Sequence, residues 1–376
     1  MKLGSWKSVR RTLAVQALVL LLSHWIVPRS HGGAKVFETD DFSVEVGMRM
    51  QPRMELKWSR PATGNMDFQR DFLIRRSRIK LNGKIQTATY NFEWKTDGTD
   101  QGPGVPAAPS TQVENAYIQY PVGAGAEVRA GLYDQPFSRD RLTSDSKQLA
   151  VDRGPVSDVP DALGLADNVV GLQLQGKVRG GRVAYATGLF DNRKIAGRYQ
   201  DSPMVAGRLD LNFGSTKDIF WDAHFGKDSW YSLGVDGSWQ GALENNPAMI
   251  SNSAAGVDGM MDIPAGPGRL LVIAELNGIS VERRGAPDAL DTTAWMVGAG
   301  LLFMNHRVQP IVRFDETRYD PADLANASKG TRRDVTQVGA NFYRKGHTFK
   351  IQGDVQFVAG TSQAVDGARL QAQIDY

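Results

Sequence analysis

The last ten residues, GARLQAQIDY (367–376), alternate to the end of the chain: Leu370, Ala372, Ile374 and Tyr376 are apolar, and Gln371, Gln373 and Asp375 are polar. Successive side chains of a β-strand point to opposite faces, so this is a strand with one wet face and one apolar face. Chain ends commonly fray into small polar residues, whereas this one stops on an aromatic ring in mid-pattern. A sheet that closes on itself needs such a strand, because its last strand must pair with its first to leave no open edge.

The same alternation recurs along the chain. FSVEVGMRM (42–50) sets Phe42, Val44, Val46, Met48 and Met50 against Ser43, Glu45, Gly47 and Arg49. AEVRAGLY (126–133), VVGLQLQGKVR (169–179) and TFKIQGDVQF (348–357) behave alike, and a 3.6-residue apolar stripe is almost nowhere found. Two architectures fit. A sandwich turns its apolar faces inward; a transmembrane barrel turns them to lipid and its polar face to a wet lumen.

The connections separate the two. The pattern predicts strands at about 42–53, 69–82, 84–97, 111–121, 125–134, 168–179, 182–191, 203–213, 229–239, 254–263, 269–281, 292–303, 308–316, 333–344, 347–358 and 368–376. Short links (121–125, 179–181, 264–268, 304–307, 344–347) alternate with long ones, of which 135–167 is the longest. An up-and-down barrel does this, with tight turns at one end and long loops at the other. One link, 214–228, should be short and is not; strand extension or an extra element would account for it. Aromatics at strand positions (Tyr90, Phe92 and Trp94; Tyr231 and Trp239; Tyr376) suit interfacial girdles. The expectation is an all-β, transmembrane antiparallel up-and-down β-barrel of about 16 strands.

Composition narrows the function. The 376 residues include 40 glycines and no cysteine, so disulfides and thiolate metal sites are excluded. The N-terminus has a basic region (Lys2, Lys7, Arg10, Arg11), an apolar run from about Thr12 to Val27 and small residues at Gly32, Gly33 and Ala34. This is a signal-peptide pattern, assigned to 1–34, with 35–376 as the barrel domain. A membrane anchor would need ~20 apolar residues, more than the run supplies. Removing the leader takes five of the 44 basic residues and no acid, leaving 39 against 41 acidic residues, so no basic footprint for nucleic acid remains.

FLIRRSRIKLNGKI (72–85), AYIQYPVGAGAEVRAGLYDQPFSRDRLTSD (116–145), NVVGLQLQGKVRGGRVAYATGLFDN (168–192) and VGANFYRKGHTFKIQGDVQF (338–357) resemble the phosphate-selective porin O and P family of Gram-negative outer membranes. The resemblance implies a 16-stranded, usually homotrimeric channel, exported through the periplasm and bounded by outer-membrane lipid and lipopolysaccharide. It also implies that the long third loop, here 135–167, is folded into the pore.

On the predicted register Arg76, Arg78 and Lys80 stack on one lumenal wall, joined there by Arg129, Lys177 and Arg208. The first eight strands are basic on this face and the last eight mildly acidic. Arg75 would point at lipid unless it lies near the outer rim or a bulge re-aims it. The loop supplies Arg139, Arg141, Lys147 and Arg153, but also Asp140, Asp145, Asp152, Asp158 and Asp161, so its charges nearly cancel. Tyr376 is expected to close the barrel and support its assembly. The function expected is passive diffusion of small hydrophilic solutes with a weak anion preference, phosphate and other oxyanions among them. His224, His306 and His347 lie far apart in no metal-ligand spacing, so no metal, cofactor or catalytic residue is expected. The alternatives are a soluble secreted adhesin or lectin and an outer-membrane barrel hydrolase.

Overall fold

The computed structural model describes residues 33–59, 67–97, 110–191, 203–214, 220–226, 228–241, 249–285, 288–303, 305–320, 331–360 and 365–376. The expected leader, 1–34, lies outside them except for Gly33 and Ala34. The strands are β1 (Ala34–Glu38), β2 (Phe42–Ser59), β3 (Asp67–Ile85), β4 (Ala88–Asp97), β5 (Ser110–Gly123), β6 (Ala126–Asp134), β7 (Asn168–Val178), β8 (Val183–Asp191), β9 (Met204–Phe213), β10 (Trp230–Gln240), β11 (Met249–Ala265), β12 (Gly268–Arg283), β13 (Leu290–Leu302), β14 (Val308–Arg318), β15 (Arg332–Lys345), β16 (Phe349–Ala359) and β17 (Val365–Asp375).

From β2 to β17 each strand pairs antiparallel with the next, and β17 returns to β2. The sixteen strands therefore form a closed barrel, as the terminal alternation requires. Past the end of β17, Tyr376 exchanges backbone hydrogen bonds with Met48 (2.7 and 2.6 Å). Here β2 outruns its partner. The short β1, absent from the sequence-based expectation, doubles back to pair with residues 43–46 of β2 and covers the edge that β17 leaves free. The expected leader boundary falls at its first residue.

The two faces are opposite to those of a water-soluble sheet. Outward residues such as Leu172 (55% exposed) and Leu233 (58%) are apolar, while inward Gln51, Asn277 and Gln371 are fully buried. Leaving one large apolar side chain in water forfeits roughly 1.5–3 kcal/mol relative to burial, so a series of them around the barrel marks a lipid-facing surface and excludes the sandwich. Phe68, Phe72, Trp94, Tyr120, Phe213, Tyr231 and Trp239 belong to this surface.

A bulge settles the position of Arg75. On β2, Gln51 pairs with Arg76 and the next residue, Pro52, pairs with Ile74, so Arg75 has no partner across the pair. The extra residue shifts the alternation by one. Ile74 faces outward, Arg76 inward, and the Arg75 guanidinium reaches an inner carboxylate, Asp152, at 3.6 Å.

The inner wall is uneven. On β12, β13 and β14 it carries Leu271, Ile273, Met296 and Ile311, which form an apolar cluster with Leu149, Ala150 and Val156 of the β6–β7 connection. On β8 and β9 the inward positions include Ala184, Ala186 and Ala206. Phe190, Met204 and Ala206 of the same two strands pack on Phe137, Leu165 and Ala166 of the connection, so space remains beside Ala184 and Ala186.

Candidate functional site

The β6–β7 connection, 135–167, holds two short helices, α1 (Arg139–Leu142) and α2 (Pro155–Ala162). The Ser138 hydroxyl caps α1 by accepting from the Arg141 N–H at 3.3 Å. Pro160 interrupts α2, whose first residue is Pro155, tolerated there because that N–H has no helical partner. Gly154, just before α2, passes close to β14: a Cβ there would lie 2.2 Å from both the Arg313 guanidinium and the Asp315 carboxylate.

Three ionic anchors join this connection to the wall. Asp152 accepts from Arg53 at 2.5 and 2.9 Å and lies 3.2 Å from Arg369, 3.4 Å from Arg76 and 3.6 Å from Arg75. Asp145 pairs with Arg76 (3.0 Å), Arg78 (2.7 Å) and Arg153 of its own segment. Asp140 accepts from Arg313 at 2.9 Å and from the Ser157 hydroxyl at 2.7 Å. Burial alone would raise all three carboxyls, but the facing arginines outweigh it. Arg53, Arg153 and Arg313 respectively lead in holding Asp152, Asp145 and Asp140 below the usual carboxylate range.

A fourth anchor runs the other way. Arg139 donates to Asp258 (2.5 Å) and Ser232 (2.5 Å) on β11 and β10. Beside it Arg208 binds Asp210 with both arms of its fork (2.6 and 3.0 Å) and pairs with Asp236 and with Asp258 (2.7 Å). The inward Gly234 leaves room: a Cβ there would sit 2.1 Å from the Arg208 guanidinium.

The β9–β10 link contains no strand among its described residues, but it packs against the same connection. The Asp222 N–H donates to the Lys147 carbonyl (3.0 Å), and its carboxylate accepts from the Leu149 N–H (2.9 Å). Burial pushes the Asp222 carboxyl up to about 6, with the bond from Leu149 opposing and the Asp140 charge adding. The Ala223 carbonyl lies 3.1 Å from His347 Nε2, and His224 donates its N–H to Asp262 (2.8 Å). The link's length marks it in the sequence; its direction depends on these contacts with distant segments.

A cavity of about 870 Å³ lies against β4–β9, lined by residues that include Glu93, Tyr117, Glu127, Arg129, Lys177 and Arg208, with Phe220 and Trp221 contributed by the link. The expected cations meet different fates. Arg76, Arg78 and Arg208 are buried among carboxylates, and Lys80 lies 3.2 Å from Asp375. Arg141 pairs with Asp134, Asp161 and Asp167. Arg153 pairs with Asp145 and donates to carbonyls of Asp140, Arg141 and Thr143. Lys147 is 4.5 Å from the centre of the Trp221 ring. Arg129 donates to Gln119 Oε1 (2.8 and 3.0 Å) and lies over Tyr117 (4.6 Å) and Tyr133 (5.2 Å). Lys177 is exposed. Neither Arg129 nor Lys177 has a carboxylate within ion-pair distance among the described residues. Tyr117, Phe220 and Trp221 were not singled out from the sequence, because their rings meet the cavity only through tertiary packing.

Comparison with known proteins agrees with this architecture. Residues 46–209 match the family model described as phosphate-selective porin O and P. The chain is 23% identical over 349 residues to an uncharacterized protein of Aquifex aeolicus (strain VF5), covering 84% of this chain and 82% of that one. Among solved structures it is similar to the anion-selective porin from Comamonas acidovorans, with a TM-score of 0.59, 13% identity, and coverage of 89% of this chain and 100% of that one. It is also similar to OmpT of Vibrio cholerae in its trimer form, with a TM-score of 0.56, 9% identity, and coverage of 89% and 99%. At such identities the structural likeness concerns the fold.

Proposed function

We propose, for this outer-membrane diffusion channel of the phosphate-selective porin O and P family, that small hydrophilic solutes cross off-axis along the β4–β9 wall, with a weak preference for anions. In this reading the β6–β7 connection constricts the lumen, held by its ionic anchors to β2, β3, β11 and β14. One observation carries the selectivity: of the charges lining the cavity, Arg129 and Lys177 lack an ionic partner among the described residues, against Glu127, whose hydrogen bonds among those residues come from the amides of Gln119 and Gln175. Among these three groups the excess is a single positive charge, felt within a Debye length of ~8–10 Å near physiological salt. Arg76, Arg78 and Lys80 contribute little free field, because their charges are met by Asp145, Glu93 and Asp375.

Tight phosphate capture does not suit this wall. Desolvating phosphate is costly unless most of its oxygens find donors, and most of the guanidinium donors here already serve carboxylates. Phosphate and other oxyanions would pass rather than lodge. Export past a cleaved leader, contact with lipopolysaccharide and assembly as a homotrimer belong to the same reading; the family resemblance supports them, and the trimer form of the V. cholerae relative supports the last. The test is the reversal potential of the purified protein in planar bilayers under a potassium chloride gradient. A modest anion preference that declines in R129Q/K177Q is expected. A cation-selective wild-type pore, or block of chloride current by micromolar phosphate, would overturn the proposal.

A further inference from the structure

We propose that the passage recognises aromatic carboxylates, through Arg129 and Lys177 on the wall and Phe220 and Trp221 on the inward β9–β10 link. This rests on the channel reading and adds a solute class to it. The motivating contrast is chemical. An aromatic face carries the negative end of the ring quadrupole, so rings beside a path for bare inorganic anions oppose the traffic. Rings that line one cavity with cations lacking a carboxylate partner among the described residues suit a solute that brings a ring and a charge together.

The groups are held in place. Arg129 is fixed by two stacking rings and by Gln119, which takes Nε and Nη2 and leaves the Nη1 arm of the fork for a carboxylate. Trp221 has Lys147 4.5 Å from its ring centre and meets the His347 ring nearly at right angles, with centroids 5.4 Å apart. Phe220 is flanked by the Arg139 and Arg208 guanidinium groups at 5.5 and 5.3 Å. Both rings are set by the Asp222 clamp next to them, which ties the link to the β6–β7 connection. Such prior ordering lowers the entropy lost when a solute binds. The cavity, about 870 Å³, accommodates a one-ring acid and its water. A neutral ring would use the aromatic residues and leave both cations unanswered.

The experiment compares sodium benzoate, sodium acetate and neutral benzyl alcohol on wild-type channels in planar bilayers. Benzoate should permeate relative to acetate about threefold or more beyond the ratio of their free mobilities, the scale of one ring contact. Millimolar benzoate should also reduce chloride conductance. F220L/W221L should return the benzoate-to-acetate ratio to the mobility ratio, and R129Q should weaken the benzoate block severalfold. A wild-type ratio equal to the mobility ratio would overturn the proposal with no variant needed. Equal block by benzyl alcohol would also overturn it, by making recognition one of rings alone. A preparation that forms no channels refutes the channel reading instead, so the two failures are distinct.

Discussion

Replacing Asp152 by Asn tests whether loop carboxylates, rather than the wall itself, set the field in this pore. The change is nearly isosteric and removes one charge from the midst of Arg53, Arg75, Arg76 and Arg369. Removing one member of a buried ion pair costs about 3–5 kcal/mol. The lower end applies here, because Arg53 keeps Glu55 at 2.8 Å and Arg369 keeps Asp354 at 2.6 Å. About 3 kcal/mol is roughly two decades in a local docking equilibrium. Arg139 and Asp140 still hold α1 to β11 and β14, so the loosened part should be the stretch around 145–153. Single-channel recordings of Asp152→Asn should show increased open-channel noise and a shift toward anion selectivity, as Arg75 loses its counterion and Arg76 is left with Asp145 alone among the described residues. Trypsin should cut faster at Arg153 in the folded protein. A variant with wild-type noise, reversal potential and protease resistance would refute the reasoning. Asp334→Asn is the comparison: its partner Arg332 is half exposed, and such a rim pair is worth about 0–1 kcal/mol.

Three other outcomes follow from the same contacts. Asp222→Asn should raise the temperature at which the folded barrel dissociates on heat-modifiability gels above pH 6 and have no effect below about pH 4. The native Asp222 carboxyl is raised to about 6, so its ionisation costs stability as pH climbs from the unfolded value near 4, and Asn avoids that cost; an equal shift at both pH values would contradict this. Deleting Tyr376, which removes both backbone bonds to Met48, should lower the yield of heat-modifiable barrel in outer-membrane fractions, and an undiminished yield would argue against a role in closure. R76Q/R78Q/K80Q should move the pore toward cation preference by uncovering Asp145, Asp375 and Glu93, with the shift fading in molar salt; persistence at high salt would point to a change of pore shape instead.

Much of this protein is written in the period of its sequence. Alternation assigns each strand residue to one of two faces, and every strand expected from 42–53 to 368–376 occurs, since a side chain's direction depends only on its place in the pleat. Closure was legible for the same reason in the final run to Tyr376. The short β1 was not, because residues 34–38 form a strand only where β2 outruns its partner. The sequence allows a bulge that re-aims Arg75, and pairing with β2 places it. The larger gap concerns charge. Direction toward the lumen does not say whether a cation meets an anion there. Arg53 and Asp152 are separated by 99 residues, and Arg313 and Asp140 by 173; no periodicity relates them. The sequence by itself determined the barrel and the residues that face inward. The tertiary structure decided which of those charges are cancelled, because that depends on where the β6–β7 connection and the β9–β10 link dock: among the contacts they make are the bulky Leu271, Ile273, Met296 and Ile311, and the cavity is left beside Ala184 and Ala186.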